Sequence, residues 1–482
     1  MHISITFRIL GVLLMLFSIT LTAPLIISLV QDDGAALGFS TALVITFLAG
    51  SVLWLPVRNS KHELRIRDGF LITSMFWTVL GLFGALPFAL SNSPHLSISD
   101  SIFESISGLT TTGATVISGL DALPKSILFY RAQLQWLGGI GIIVIAVAIL
   151  PMLGIGGMQL YRAETPGPSK NNKLTPRITE TAKALFLVYL SLTAACALSY
   201  YLAGMTAFDA ICHSFSTVAI GGFSTHDASI GYFKNDSIVI LATFFMFISA
   251  INFGLHFTAW RSRSAGVYFN DSEIKFFSGV LLIGVVLCCA VLIYSGEYDW
   301  YNGIVHGLFQ AVSITTTTGY ATAEFSLWPS FLPLLLIMLS FMGGCVGSTG
   351  GGIKAMRLML IYKQGLRELK QLVHPAAVIP LKIGSRRVES QVVSAVWSFF
   401  AVYMAALIII WLLLMGTGMD IVTAFSSVAA ALNNLGPGLG NVAANYGSIT
   451  DSAKWILCFA MLLGRLEIFT LLVLFTPMFW RS

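Results

Sequence analysis

The stretch Ser313-Ile-Thr-Thr-Thr-Thr-Gly319-Tyr decides the fold, because three similar stretches occur elsewhere in the chain. These read Ser107-Gly-Leu-Thr-Thr-Thr-Gly113-Ala, Ser216-Thr-Val-Ala-Ile-Gly-Gly222-Phe and Ala430-Ala-Leu-Asn-Asn-Leu-Gly436-Pro. In the first three along the chain, a serine stands six positions before the glycine. Each is a polar turn in an apolar chain. Because non-helical backbone at membrane depth must be buried or line a water-filled cavity, the four turns are predicted to meet on one axis.

The composition is that of a polytopic membrane protein. Of the 482 residues, 56% are hydrophobic and 10% are charged, whereas soluble domains carry about 25% charged residues. The mean hydropathy is +0.83, and the apolar runs have the length of membrane-spanning helices. The apolar stretch from Ile3 to Val30 is too long for the hydrophobic part of a signal peptide, so we expect it to be retained as a first helix.

The distribution of charge predicts the topology. Most of the 27 Lys and Arg residues fall in four loops, Arg58 to Arg67, Arg162 to Lys183, Arg261 to Lys275 and Lys354 to Arg387. By the positive-inside rule these loops are cytoplasmic, and so are both termini. The intervening loops are acidic and would concentrate cations at the outer face. A simple lack of basic residues for topological reasons explains this acidity equally well.

Loop charge and hydropathy together predict an all-α polytopic membrane protein with ten transmembrane helices and four re-entrant pore loops. The spanning helices are predicted at about residues 3–30, 36–57, 69–93, 126–152, 178–204, 237–260, 275–296, 331–370, 390–416 and 453–480. The re-entrant segments are predicted at about 98–113, 207–222, 301–319 and 419–436. Each has about 13 helical residues before its turn, too few to cross a hydrocarbon core of about 30 Å.

A helix, a pore loop and a second helix therefore recur four times. The division of the chain is 1–67 for two extra N-terminal helices, 68–175 for repeat 1, 176–270 for repeat 2, 271–385 for repeat 3 and 386–482 for repeat 4. Acids open three of the pore segments, Asp100, Asp209 and Asp420, as suits a helix N-terminus. The negative C-terminal ends of the four half-helices would then point at the turns, which favours a cation there.

The turn residues suit coordination by backbone carbonyls. Glycine reaches backbone conformations closed to other residues, and threonine adds a hydroxyl on a stiff side chain. Carbonyl oxygens suit a hard monovalent cation. The alternative is that each turn is only a polar helix end. The candidate residues are Thr110, Thr111, Thr112, Gly113, Ala219, Ile220, Gly221, Gly222, Thr316, Thr317, Thr318, Gly319, Asn433, Asn434, Leu435 and Gly436.

A glycine-rich segment interrupts the second helix of repeat 3. Six glycines in ten residues cannot hold a helix, so the segment must be buried or line a cavity. Its place inward of the turns makes it a candidate movable gate, with Lys354 adding a cation near the inner mouth. A close-packing break between helices is the alternative. The candidate residues are Gly343, Gly344, Cys345, Gly347, Ser348, Thr349, Gly350, Gly351, Gly352 and Lys354.

Arg465 is expected near the middle of the last helix. An arginine there costs about 2.5–3.5 kcal/mol on insertion scales and indicates a functional site. Glu467, two positions on, points to another face of a helix and is not a simple partner. We therefore expect Arg465 to face the cavity below the turns or to hold the glycine-rich loop. A structural ion pair with an unidentified acid is the alternative.

Several other patterns fail. The six cysteines lack metal-site spacing and read as buried free thiols. Gly347 to Lys354 lacks the Gly-Lys adjacency of a phosphate loop, and Gly347-Ser-Thr-Gly has no placed His or Asp partner for a serine hydrolase. His213 and His226 are interpreted as structural or mouth residues rather than proton relays.

The chain resembles the Trk/Ktr/HKT superfamily of potassium uptake proteins, and within it the TrkH type. The residues that carry the resemblance are Thr110-Thr-Thr-Gly113, Gly221-Gly222-Phe, Thr316-Thr-Thr-Gly319-Tyr, Asn434-Leu-Gly436, the interrupted segment Gly343 to Lys354, and Arg465. The resemblance covers nearly the whole chain. Two departures, Ala219-Ile220 in repeat 2 and Pro437 after the fourth glycine, put the local coordination geometry there in doubt.

The resemblance implies a pseudo-fourfold pore within one subunit, with K⁺ bound in the filter residues and no covalent cofactor. Glycine at all four filter positions implies selection of potassium over sodium, because members with serine in the first repeat favour sodium. It also implies that the interrupted helix and the Arg465 position form an intramembrane gate. The implied partners are a second copy in a homodimer, membrane lipid and a cytosolic ring of nucleotide-binding regulatory subunits (TrkA-like), docked on the basic loops. No nucleic acid is implied, and the location is the bacterial inner membrane.

These expectations leave three hypotheses. The first is a channel-like potassium uptake subunit that is not an enzyme. The second keeps the same pore but couples potassium to protons or sodium, as a symporter. The third is a membrane enzyme or a polytopic scaffold, for which the sequence offers no placed catalytic group.

Overall fold

The structure is a computed structural model that describes residues 3–59, 66–144, 178–384 and 386–481. The predicted end of the helix at 126–152, the loop around Lys61 and most of the basic loop from Arg162 to Lys183 lie outside the described residues. The described part is mostly helical, and its strands are those of one short hairpin. This confirms the all-α fold class.

The helices and strands follow the chain in this order. The first part contains α1 (Ile3–Thr20), α2 (Thr22–Gln31), α3 (Ala36–Trp54), α4 (Ile66–Gly84), α5 (Leu86–Leu90), α6 (Ile98–Leu109) and α7 (Lys125–Val144). The middle contains α8 (Ile178–Leu202), α9 (Ala207–Val218), α10 (Asp236–Ser249), α11 (Phe253–Ser262), α12 (Gly266–Asn270), α13 (Ser272–Tyr294), α14 (Trp300–Thr315), α15 (Leu332–Ser340) and α16 (Ala355–Val373). A short antiparallel hairpin, β1 (Lys382–Ile383) with β2 (Arg386–Arg387), precedes α17 (Ser390–Gly416), α18 (Ile421–Asn433), α19 (Asp451–Arg465), α20 (Phe469–Leu472) and α21 (Pro477–Trp480).

The four predicted re-entrant segments are short helices, namely α6, α9, α14 and α18. They have 12, 12, 16 and 13 residues, which is about 18–24 Å at 1.5 Å per residue. Three begin with a side-chain cap, because Ser97, Thr206 and Asp420 each accept a hydrogen bond from the backbone amide three residues onward. Such caps satisfy amides that would otherwise lack partners at a helix start.

Each half-helix is enclosed in the same way by three neighbouring helices. α6 packs between α4 and α7 of its own unit and α19 of the last unit. α9 packs on α8, α10 and the preceding α7; α14 packs on α13, α15 and the preceding α10; α18 packs on α17, α19 and the preceding α15. The second helix of every unit thus covers the half-helix of the next unit. The fourth unit closes on the first, so the arrangement is a pseudo-fourfold ring.

The membrane-spanning helices differ from the sequence prediction in continuity. The described residues contain six helices long and apolar enough to cross a membrane, or up to eight if each sharply bent pair is one span. Ten crossings therefore stay a prediction. The segment predicted as one helix at 237–260 bends by 93° between α10 and α11, because Asn252 leaves the helix and its side chain caps the amide of Gly254 at 2.7 Å.

The prediction of one unbroken last helix at 453–480 was wrong. α19 ends at Arg465, and the chain bends by 110° before the next helical segment. The cause is local, since Glu467 and Ile468 have φ values of 52° and 59°, which no helix accommodates. Arg465 therefore lies at a helix C-terminus, where a cation suits the helix dipole. The predicted interruption in repeat 3 is present, as residues 341–354 separate α15 from α16.

Candidate functional site

The four half-helices end in one repeated backbone turn. We name the segments Thr110–Gly113, Ala219–Gly222, Thr316–Gly319 and Asn433–Gly436 the glycine turns. In each, the residue before the glycine donates its amide to the carbonyl five positions back; the pairs are Thr112 to Ser107, Gly221 to Ser216, Thr318 to Ser313 and Leu435 to Ala430, all at 2.8 Å. This bond belongs to the Schellman type of helix end. The acceptor is the serine carbonyl in the first three turns and the Ala430 carbonyl in the fourth, so the bond does not depend on the serine side chain.

The second residue of every glycine turn is left-handed, although none of these residues is glycine. The φ values are 55° for Thr111, 55° for Ile220, 66° for Thr317 and 52° for Asn434. A β-branched residue in this region is a genuine outlier, with a cost of order 1–3 kcal/mol that the surroundings must hold in place. The sequence analysis missed this strain, because it expected left-handed backbone only at glycine. Strain of this kind clusters at functional sites.

The glycines of the turns pack against the next turn in a closed ring. A Cβ atom on Gly113 would overlap the carbonyl oxygen of Gly221. The same overlap joins Gly222 to Thr318 and Gly319 to Leu435, and a Cβ on Gly436 would lie 2.7 Å from the carbonyl oxygen of Thr112. Their φ values of 78–96° also favour glycine at all four positions. The structure thus brings all four predicted turns together, in the order of the chain.

The groups around this ring are neutral oxygens. Carbonyl oxygens of Thr112, Gly221, Thr318 and Leu435 lie at the contacts between turns. Hydroxyl pairs repeat in the first and third turns, with Thr110 and Thr112 Oγ1 atoms 2.7 Å apart and those of Thr316 and Thr318 2.8 Å apart. Among the described residues no group of His, Cys, Asp and Glu could hold a metal ion. The arrangement therefore suits a weakly hydrated monovalent cation better than a transition metal.

Polar side chains hold the ring together, and one of them, Gln135, lies outside the turns and was not identified by the sequence analysis. Gln135 on α7 donates to the Gly221 carbonyl at 2.6 Å and accepts from the Phe223 amide at 3.0 Å. Asn434 donates to Thr112 Oγ1 at 2.9 Å, which joins the fourth turn to the first. The sequence signal was a glutamine within a predicted membrane-spanning helix, since such a side chain needs a partner when buried.

A buried ion pair braces the chain just beyond the turns. Arg131 Nε donates to Glu104 at 2.8 Å, and both side chains are almost fully buried. Arg131 also donates to the Ser224 carbonyl at 3.0 Å, while Glu104 accepts from the Val116 amide at 3.0 Å. The pair thus links the segments that follow the first and second turns. An arginine within α7 and a glutamate within α6 were the available signals.

The glycine-rich loop, residues 341–354, lies directly against the turns and the ends of the half-helices. Thr349 Oγ1 donates to the Val218 carbonyl at the end of α9 at 2.9 Å. The Gly351 amide donates to Thr317 Oγ1 at 2.8 Å, and the Gly352 amide donates to the Asn433 carbonyl at 3.0 Å. The loop therefore contacts the C-terminal ends of the second, third and fourth half-helices. It is fully packed, as its glycines leave no space for a Cβ at Gly343, Gly344 or Gly351.

Both ends of the loop are tied to neighbouring helices. Glu273 Oε1, at the start of α13, accepts from the amides of Val346 at 2.8 Å and Met356 at 3.1 Å. The Cys345 amide donates to the Ala250 carbonyl at 2.8 Å, at the break between α10 and α11. One buried carboxylate thus binds backbone amides on both sides of the loop's central glycines. The sequence analysis did not identify Glu273, because the acid lies in the cytoplasmic charge cluster near Lys275.

Arg465 connects the glycine-rich loop to the remaining half-helix, which is the first. Its Nη1 donates to the Thr349 carbonyl at 3.2 Å, and its Nη2 donates to the Gly138 carbonyl at 2.9 Å. A Cβ on Gly138 would overlap the carbonyl of Leu109, the last residue of α6. Arg465 therefore holds the glycine-rich loop against the first half-helix. Within the described ranges its guanidinium has no acidic partner, because Glu467 pairs with Arg357.

Two further predicted residues have defined positions. Lys354 is buried, with φ of 81°, and its ammonium donates to the Gly350 carbonyl inside the loop. It is a part of the loop rather than a free cation at the mouth. His213 is also buried and contacts the Asp209 carbonyl at 2.8 Å and Ser224 Oγ at 3.0 Å. These contacts fit the structural interpretation of His213.

Comparison with known proteins gives full-length matches. The family model described as TrkH, cation transport protein, matches residues 37–482. A Trk system potassium uptake protein TrkH from Halomonas elongata is 55% identical over 483 residues, covering 100% of both chains. The Trk system potassium uptake protein TrkG from Escherichia coli (strain K12) is 41% identical and covers 100% of this chain and 99% of its own. The crystal structure of the potassium transporter TrkH from Vibrio parahaemolyticus matches with a TM-score of 0.92 and 53% identity, covering 100% of both chains.

Proposed function

Because this chain belongs to the TrkH family of cation transport proteins, we propose that it takes up potassium through a pore formed by its four glycine turns. It is a multi-pass membrane transporter rather than an enzyme. The observation that carries the proposal is the closed ring, in which each turn's glycine packs on the carbonyl of the next turn. A ring of neutral oxygens on one axis replaces water around a cation without binding it too tightly to leave.

In this pathway potassium arrives from the outer face and loses water at the turns. The coordinating carbonyls are those of Thr110–Thr112, Ala219–Gly221, Thr316–Thr318 and Asn433–Leu435. The strained residue in each turn supports this assignment, because left-handed backbone re-aims the carbonyls that flank it. The repeated 2.8 Å bond in all four turns supports one common geometry around the axis, even at Ala219-Ile220.

The glycine-rich loop and Arg465 form the gate. The loop lies across the inward side of the ring and is held to all four half-helices, through three direct hydrogen bonds and through Arg465 with Gly138. Ions pass only when these bonds are released. Since the bonds are few and several are made by backbone amides, a modest change elsewhere in the protein can shift the loop between two positions.

The protein works in the bacterial inner membrane as a homodimer with both termini in the cytoplasm. A cytosolic ring of nucleotide-binding regulatory subunits controls the gate. The relatives' names place them in a Trk system, which supports a partner. The helix α16 leads from the loop toward the exposed basic residues Lys370 and Lys382, so a subunit docked there is coupled directly to the gate.

The experiment that tests the proposal is potassium and sodium flux into liposomes that hold the purified protein, with and without an imposed pH gradient. Potassium-selective flux that follows only the potassium gradient supports a channel-like pore. Flux that requires the pH gradient or sodium would instead establish a coupled symporter. Absence of any cation flux from correctly folded protein, also after loosening of the gate, would overturn the proposal.

A further inference from the structure

A large cavity opens on the side of the protein, away from the ring of turns. It has a volume of about 1110 Å³ and lies between α8, α10, α11, α12 and α13. Its walls are mostly apolar, with Leu187, Leu192, Phe247 and Ile248 among them. A cavity of this size holds a molecule of several hundred daltons. Its apolar walls exclude a simple ion as the occupant.

The cavity has the depth of one membrane leaflet. On α8 its lining runs from Lys183 to Ala195, which is about 18 Å along a helix. Half of a hydrocarbon core is about 15 Å. A cavity that follows a spanning helix from one membrane surface to the middle of the core matches an acyl chain in length and direction.

Charge and aromatic residues mark one end of the cavity. Lys183 and Lys275, both exposed, lie within the first two turns of α8 and α13. Within the part of the chain that the structure describes, neither lysine forms an ion pair. Trp260 and Phe269 line the same end, as aromatic residues do at membrane surfaces. By the positive-inside rule this end faces the cytoplasm, where anionic headgroups attract lysine.

We propose that this cavity binds an anionic phospholipid of the cytoplasmic leaflet. The phosphate of the headgroup pairs with Lys183 and Lys275, and one acyl chain fills the apolar space up to Ala195. This site is separate from the ion pathway, and the inference of binding does not depend on the transport function.

The wall of the cavity is also the support of the glycine-rich loop. Ile248, Ile251 and His256 line the cavity, and His256 Nε2 contacts the Ile248 carbonyl at 3.0 Å across the break between α10 and α11. Two residues of this break bind the glycine-rich loop. The Ala250 carbonyl accepts from the Cys345 amide at 2.8 Å, and the Phe253 amide donates to the Gly347 carbonyl at 3.0 Å. A bound acyl chain therefore packs against the segment that anchors the loop. This consequence rests on the proposed function, because it makes the lipid a support of the closed gate.

Binding is tested by native mass spectrometry of the purified full-length protein in equimolar phosphatidylglycerol and phosphatidylcholine. Each lysine near an anionic headgroup contributes a factor of about five, so the wild type is expected to retain phosphatidylglycerol roughly 25-fold better. The Lys183→Gln/Lys275→Gln variant should lose most of this preference. The Arg58→Gln/Lys234→Gln variant removes two positive charges elsewhere and should keep it. Ala195→Trp fills the deep end and should lower retention of both lipids.

Equal retention of the two lipids by the wild type would overturn the site, and so would an unchanged preference in Lys183→Gln/Lys275→Gln. Conversion of dimers to monomers by Ala195→Trp, with lipid retention unchanged, would show that a second copy covers the cavity and would also overturn it. The effect of the lipid on the gate is measured separately, as potassium leak from phosphatidylcholine vesicles that contain increasing fractions of phosphatidylglycerol. Leak should fall as phosphatidylglycerol rises in the wild type but not in the double lysine variant. An equal dependence of leak on phosphatidylglycerol in the wild type and the double lysine variant would overturn the effect of the lipid on the gate. The lipid-binding site itself is still tested by lipid retention.

Discussion

Arg465 donates a hydrogen bond to the backbone carbonyl of Thr349, at 3.2 Å from its Nη1 atom. The contact joins the end of α19 to the middle of the glycine-rich loop, 116 residues away in sequence. A guanidinium that binds two carbonyls and no carboxylate within the described residues is expensive to bury. Its burial is explained by what it holds, namely the loop on one side and Gly138 beneath the first half-helix on the other.

Replacement of Arg465 with alanine is expected to make the protein leaky. Hydrogen bonds to charged groups contribute about 1.5–3 kcal/mol each, and 1.4 kcal/mol is a factor of ten in an equilibrium. Loss of the bond to Thr349 should therefore raise potassium flux into liposomes by roughly tenfold or more. Arg58→Ala, at an exposed site, is the control. Unchanged flux in a folded Arg465→Ala protein would count against its role in the gate.

Glu273 should show a sharp difference between two substitutions. Both loop amides bond to Oε1, and glutamine offers the same acceptor, so Glu273→Gln should keep near-normal stability and flux. Glu273→Ala leaves two buried amides without acceptors, at about 1–3 kcal/mol each. We expect a lower melting temperature and higher potassium leak for the alanine variant alone.

The two Glu273 variants are compared by thermal unfolding in detergent and by liposome flux. Equal behaviour of the two variants would mean that the carboxylate does not hold the loop through these bonds.

The buried pair of Glu104 and Arg131 is expected to stabilise the outer side of the ring only as a pair. Removal of one partner from a buried pair costs about 3–5 kcal/mol, so Glu104→Leu should lower the melting temperature strongly. The double variant Glu104→Leu/Arg131→Met removes both charges and should recover much of the loss. Glu368→Ala, in a pair that is 26% and 58% exposed, should change stability by less than about 1 kcal/mol.

Thermal unfolding of the four proteins, including the wild type, decides this point. A double variant as unstable as Glu104→Leu would show that shape rather than the lone buried charge causes the loss.

The sequence predicted those features whose signals are local. The four half-helices were found within a few residues of their bounds, because their length, their opening acids and their closing glycines lie in one short window. The interruption between α15 and α16 was found because six glycines in ten residues exclude a helix. The family resemblance rested on these same segments.

Features imposed by distant parts of the chain were missed. Ile220 is left-handed because the ring of turns holds it there, and nothing in its own sequence favours that conformation. The break after Arg465 is made by Glu467 and Ile468 in left-handed backbone, and neither residue type favours that conformation. The partners of Arg465 and Glu273 are backbone groups far along the chain, and such pairings depend on tertiary packing rather than on spacing. The break at Asn252 was missed as well, although asparagine is a residue that caps helix starts.

The central claim is that the ring of glycine turns selects the ion, and Gly113→Ser tests it most directly. A serine there must push away the Gly221 carbonyl, whereas Gly119→Ser places the same substitution at a positive φ of 73° with open space around it. The measurement is the ratio of potassium to sodium flux in liposomes for both variants and the wild type. The account predicts a lower ratio for Gly113→Ser alone. An unchanged ratio in Gly113→Ser protein that still conducts potassium would contradict it.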